Sequence, residues 1–193
     1  MLNKSTLMKT LMLASVLIAL TAITTKADTV MFMGNTTGGS TFNRPLAGTP
    51  PTGLSAVGTA VRFTVTQLSV GMSGSYVFQN TATTTGFDNF TFLYLNTFNP
   101  AAPLTNALVG NDDNPNIGLS GFTINLTAGT NYLYVVTGFN NGDFGAFNAV
   151  ITGPGIITVG GGGGTPVPEP MTLLLLSTGL AGIAAKVRRR RAV

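Results

Sequence analysis

Between Asp28 and Val159 the apolar residues recur at every second position in short runs and never at helical spacing. Val61, Phe63 and Val65 alternate with Arg62, Thr64 and Thr66, and Phe90, Phe92 and Tyr94 repeat the rhythm, as do Phe122, Ile124 and Leu126. Successive side chains of a strand point to opposite faces, so each run predicts a strand with one buried and one wet face. Turn residues separate the runs at Ser73-Gly74, Asn99-Pro100, Asn114-Pro115, Ala128-Gly129, Asn140-Asn141-Gly142 and Gly153-Pro154-Gly155. Asn141-Gly142 predicts a tight hairpin, since both residues tolerate positive φ. The spacing predicts about eight or nine strands and an all-β ectodomain over 28–159, a single jelly-roll-like β-sandwich, with a small barrel as the alternative.

The two ends follow another pattern. Lys4 and Lys9 precede an apolar core from Leu11 to Ile23, and Thr25-Lys26-Ala27 precede Asp28. This is the layout of a secretory signal peptide over 1–27 cleaved between Ala27 and Asp28, with an uncleaved N-terminal anchor as the alternative. At the other end a glycine-rich linker over 160–166 leads to prolines at 166, 168 and 170, which hold the chain extended and delay any helix until Met171. The linker is a flexible tether.

From Met171 to Ala185 no charge occurs, a span of about 22 Å as a helix. A bilayer core is about 30 Å thick, so the predicted transmembrane helix over 171–185 is short and relies on local thinning and on basic side chains that reach the headgroups. Lys186, Arg188, Arg189, Arg190 and Arg191 follow at once, and the positive-inside rule keeps the 186–193 tail cytoplasmic and everything upstream outside. An ordinary membrane anchor and a polybasic lipid-binding tail are the rival readings.

Val167-Pro168-Glu169-Pro170, the apolar segment and the arginine cluster together resemble the PEP-CTERM sorting signal of Gram-negative bacteria over 167–193. The resemblance implies recognition by an exosortase, a membrane-embedded enzyme with a cysteine nucleophile. This chain would be its substrate, held by a transient single-pass anchor in the inner membrane and then passed to the cell surface or beyond.

Charge changes its meaning once the ends are set apart. Ten lysines and arginines against six acidic residues give +4 overall, but between Asp28 and Pro170 only Arg44 and Arg62 face Asp28, Asp88, Asp112, Asp113, Asp143 and Glu169, so that part carries 2 − 6 = −4. No basic patch remains to bind nucleic acid. With no cysteine and no histidine, catalysis by Ser-His-Asp or Cys-His and zinc sites of imidazole or thiolate are excluded. The exported domain must stand on its apolar core alone.

From about Gly74 to Ile157 the chain also resembles the bacterial pre-peptidase C-terminal β-sandwich domain. The resemblance lies in Asp88-Asn89-Phe90-Thr91-Phe92-Leu93-Tyr94, Asn111-Asp112-Asp113, Phe122-Thr123-Ile124, Ala128-Gly129-Thr130-Asn131-Tyr132 and Gly145-Ala146-Phe147. It implies a non-catalytic sandwich involved in substrate or surface binding, some members of which hold calcium.

Candidate chemistry is sparse. Asp112 and Asp113, flanked by Asn111 and Asn114 and expected to be joined in space by Asp88 and Asp143, offer oxygen ligands of the kind calcium takes, although Asp-Asp-Asn-Pro is equally an ordinary turn and the spacing matches no EF-hand. No other cofactor is expected. Tyr76, Tyr94, Tyr132 and Tyr134 fall in predicted strands, where core packing competes with stacking on a sugar. The expected role is a non-enzymatic surface or extracellular-matrix protein, structural or adhesive, with exosortase and afterwards exopolysaccharide or other surface proteins as partners. The rivals are a calcium-dependent carbohydrate-binding module or adhesin, and a secreted glycosidase working through Asp88, Asp112, Asp113 and Asp143.

Overall fold

The computed structural model describes residues 27–160. The expected signal peptide short of Ala27, most of the linker, the Val167-Pro168-Glu169-Pro170 motif, the 171–185 span and the basic tail lie outside the described residues. Ten strands run in order: β1 (Asp28–Asn35), β2 (Thr41–Phe42), β3 (Val61–Val70), β4 (Gly74–Ala82), β5 (Asn89–Leu95), β6 (Ala107–Asn111), β7 (Leu119–Leu126), β8 (Asn131–Gly138), β9 (Ala146–Gly153) and β10 (Ile157–Gly160). Ten exceeds the expected eight or nine because of the short β2 and β10.

The strands form two antiparallel sheets, one ordered β1-β9-β4-β7 and one ordered β10-β3-β8-β5-β6, with β2 also on β3. Without β2 and β10, the pairs β1·β9, β3·β8, β4·β7 and β5·β6 nest inside one another along the chain. That nesting is one long hairpin folded across itself, the jelly roll expected from the sequence. The sandwich reading holds, and the barrel does not.

The turn residues fall between the strands as expected, but one of them acts differently from expectation. Asn141-Gly142 joins β8 to β9, which lie in different sheets, so it closes no hairpin, and neither residue has positive φ. Asn141 is instead an anchor, its Oδ1 accepting the Ala60 amide at 2.7 Å and its Nδ2 donating to the Thr59 hydroxyl at 3.1 Å. Ser73-Gly74, Asn114-Pro115, Ala128-Gly129 and Gly153-Pro154-Gly155 likewise carry the chain between sheets, and only Asn99-Pro100 lies between strands that pair directly. Gly74 has φ 156° and Gly129 φ 72°, where a side chain would be strained.

The principal core fills the space between the sheets. Val30, Phe32, Phe78, Phe147 and Ile151 from the four-stranded sheet meet Leu68, Leu93, Tyr134 and Val136 from the other. A second apolar cluster lies on the outer face of the larger sheet, where Val61, Phe90, Phe92, Tyr94 and Val135 are covered by Phe42 and Phe98. The long β1–β3 connection and the β5–β6 loop act as straps over this face. Gly48 and Gly110 exchange two amide hydrogen bonds of 2.9 Å, and the Tyr94 hydroxyl donates to the Pro103 carbonyl at 2.9 Å.

This second cluster corrects two expected faces. Phe90, Phe92 and Tyr94 are buried under the straps, but the intervening Asn89, Thr91 and Leu93 are buried as well, so β5 has no wet face. Val61 is buried and Phe63 partly covered, whereas Val65 on the same face is exposed because the straps end before it. The inner face of β3 is carried instead by Leu68 and Val70.

Candidate functional site

The antiparallel register of β5 and β6 sets Thr91 opposite Asn111 and Phe92 opposite Gly110. The start of β5 and the end of β6 therefore share one end of the larger sheet. Asp88, just before β5, meets Asp112 and Asp113, just after β6. One carboxylate oxygen from each of the three lies within 4.8 Å of the others.

The backbone around these side chains is tied down. The Phe139 amide donates to the Asp88 carbonyl at 2.9 Å, which fixes the entry to β5 against the β8–β9 loop. Asn111 Oδ1 accepts the Gly121 amide at 2.9 Å, and the Asn114 amide donates to the Leu119 carbonyl at 2.6 Å. Gly118 turns the loop at φ 81°, a conformation suited to glycine. Asp143, expected as a neighbour, is outside the triad, and its Oδ2 accepts the Asn140 amide of its own turn at 2.7 Å.

Electrostatically the three acids oppose one another. Asp113 is exposed, while Asp88 and Asp112 are half-buried, and Oδ1 of each of these two is enclosed without a hydrogen-bond partner. Burial, followed by the neighbouring Asp88 and Asp113 carboxylates, pushes Asp112 up to about 6. Asp88 is raised by burial first, then by Asp113 and Asp143, against the Gly118 amide that favours its charged form.

Beside this cluster lies Arg44, a residue to which the sequence assigned no role. It is 2% exposed, with its guanidinium 4.3 Å from the Phe90 ring centre and 4.8 Å from that of Phe139. Nε donates to the Phe139 carbonyl and Nη1 to the Pro45 carbonyl, each at 3.0 Å. Gly58 leaves it room, since a Cβ there would stand 2.6 Å from Arg44 Nε. Burial lowers the Arg44 pKa, and Asp112, Asp88 and Asp143 work against that shift. Arg44 offsets some of the carboxylate repulsion while its hydrogen bonds go to main-chain carbonyls.

The arrangement offers oxygen and no nitrogen or sulfur ligand. Hard cations with flexible oxygen coordination match that donor set, and the two partnerless Oδ1 atoms fit them. Three carboxylates fall short of the six to eight oxygens calcium takes, so main-chain carbonyls or water would complete a shell. Sugar stacking finds less to use: among the described residues no aromatic side chain is fully exposed, and Tyr76, Tyr94, Tyr132 and Tyr134 are all buried.

Outside the sandwich, residues 166–191 match the PEP-CTERM protein-sorting motif. The chain thus carries that motif, which implies export with a C-terminal anchor before cleavage. No curated protein matches the chain. Similar solved structures include the Yersinia pseudotuberculosis-derived mitogen, at 12% identity and TM-score 0.34 over 66% of this chain and 86% of that one. A family 35 carbohydrate-binding module of Cellvibrio japonicus Abf62 is 11% identical, TM-score 0.34, over 69% and 99%. Another from an environmental isolate is 19% identical, TM-score 0.33, over 72% and 98%. Likenesses this distant carry no argument about ligand, and the fold rests on the strand order itself.

Proposed function

We propose that this chain is an exported, non-enzymatic protein of the cell surface or extracellular matrix, handed over by an exosortase that acts at its C-terminal motif. The single observation that carries the reading is the sorting motif over residues 166–191. The N-terminal pattern ending at Ala27 supports export from the same chain, and β1 begins at Asp28, directly after the expected cut. A chain with neither histidine nor cysteine, whose only glutamate lies in the sorting motif, favours a structural or adhesive role over turnover. Exopolysaccharide and neighbouring surface proteins are its partners outside the cell. An epitope tag in the 160–164 glycine run, followed through fractions of cells with and without the exosortase, tests this reading. Tagged protein outside the cell only when the enzyme is present supports it, and equal inner-membrane retention in both strains overturns it.

A second reading is favoured by the partnerless Asp88 and Asp112 oxygens: the acidic triad holds a calcium ion that ties β5 to the loop after β6. Binding would offset the burial and the carboxylate repulsion that together raise Asp112 and would fasten the rim of the sandwich. Isothermal titration of the full chain with calcium tests it. Heat that disappears in Asp112→Asn supports the site, and no heat at millimolar calcium removes it.

A further inference from the structure

A sandwich has open sheet edges, and each presents unpaired backbone amides and carbonyls that template a further strand. Most edges here are blunted. On β6, Gly110 is bridged by Gly48 through two hydrogen bonds. On β7, the Gly121 amide is taken by Asn111 Oδ1 and the Leu119 carbonyl by the Asn114 amide. At the far side β10 has only four residues, and β2 lies along β3 beside it.

β1 differs from all of these. Its eight residues pair in unbroken register with β9 on one side, and among the described residues its main chain makes no other hydrogen bond. Residues 29–35 contain no charge and no proline, and no bulge twists the strand away. Asp28 at the start of the strand is the one charge on β1, and its carboxylate accepts the Ile157 amide at 2.9 Å; beyond it the usual protections of an edge are absent. On its solvent face stand Met31, 57% exposed, and Met33, 76% exposed, two flexible apolar side chains beside a bare edge.

We propose that β1 is a self-association edge through which two copies of the chain pair antiparallel and join their four-stranded sheets into one of eight strands. Self-complementarity favours a second copy over a foreign strand. In a two-fold antiparallel pair, residues that face each other must lie on the same side of the sheet, so paired residue numbers must sum to an even value. Two central registers meet this condition. Met31 stands opposite its own copy with Val30 opposite Phe32, or Phe32 stands opposite its own copy with Met31 opposite Met33. Each sets methionine against methionine outside and continues the Val30 and Phe32 row inside.

Charge also permits it. The outward residues of the neighbouring strands, such as Val150, Thr152, Val77 and Gln79, are uncharged, so the two copies approach without repulsion there despite the negative domain. The interface is isologous and closes at two copies. It makes no use of the sorting motif or the acidic triad.

The chain has no cysteine, so each introduced thiol is unique. Full chains carrying Met31→Cys or Met33→Cys, alone and mixed, are purified in mild detergent and oxidised, with Thr123→Cys on the exposed face of the opposite edge as control. The expected result is a disulfide-linked dimer of Met31→Cys alone, or a mixed dimer between Met31→Cys and Met33→Cys, with no dimer of Thr123→Cys. No β1 cross-link, or equal cross-linking of Thr123→Cys, overturns the proposal. In the same detergent the double variant Met31→Lys/Met33→Lys, with its circular dichroism unchanged, is expected to halve the mass found by light scattering. An unchanged dimer mass, as association through the apolar tail would give, equally overturns it.

Discussion

The two sheets use the same strand rhythm for different ends. In the four-stranded sheet β1, β4 and β9 alternate cleanly, with Val30, Phe32, Phe78 and Ile151 inward and Met31, Met33, Val77 and Thr152 outward, and among the described residues its outer face is uncovered and uncharged. The six-stranded sheet is covered on both faces where β5 and β8 run, and the straps that cover it bring Arg44 next to the Asp88, Asp112 and Asp113 cluster. One sheet offers surface, and the other concentrates charge. Stability and pH response are therefore expected to follow the larger sheet, and association the smaller.

The sharpest way to break that contrast is a pair of truncations. Phe92→Ala removes a ring with no exposure that stacks on Phe90 at 4.7 Å, and a loss of about 3–5 kcal/mol is expected in denaturant unfolding. Val77→Ala, on the outer face of the smaller sheet and away from the β1 edge, is expected to stay within about 0.5 kcal/mol. Similar losses for the two would mean that the straps do not seal the second cluster.

Arg44→Ala comes next, with an expected loss of about 2 kcal/mol, because the Phe139 and Pro45 carbonyls lose their donors and two rings lose their cation. Gly58→Ala drives a methyl group towards Arg44 Nε and the Phe139 carbonyl, and about 1–2 kcal/mol of overpacking is expected from the same unfolding curves.

The pH response sharpens the comparison further. Asp112 titrates near 6 in the fold against an ordinary value of 3.8, so the folded state holds more protons than the unfolded one between these values. Its contribution is present in full below about pH 4 and is lost as pH rises through 6. Without divalent cations, Tm is expected to fall over that window, to fall less in Asp112→Asn, and to recover on adding calcium at neutral pH. A Tm that rises between pH 4 and 6 in the wild type and is unaffected by Asp112→Asn would contradict the burial and repulsion that raise Asp112.

Much of this was legible in the sequence, for reasons that also explain the misses. Period-two alternation identified β5 and β7 as strands and gave the all-β class, because local sterics set that period. Which sheet a strand joins is a non-local property, and glycine, asparagine and proline serve a cross-sheet turn as readily as a hairpin, so Asn141-Gly142 was misread. Asn89 and Thr91 looked like a wet face because they are polar, yet a strap formed by residues far away in sequence buries the other side of their strand. Asp112 and Asp113 stood out as adjacent acids. Their meeting with Asp88 needed the β5–β6 register, and Arg44 needed the strap. The sorting motif, by contrast, is linear, and no folding was required to read it.

The most direct test of the account is the intact mass of the protein recovered from outside the cell. An N-terminus at Asp28 with the residues after the Pro168-Glu169-Pro170 region removed is the predicted result. A recovered chain that still ends at Val193 would contradict sorting by cleavage and leave the motif as an anchor.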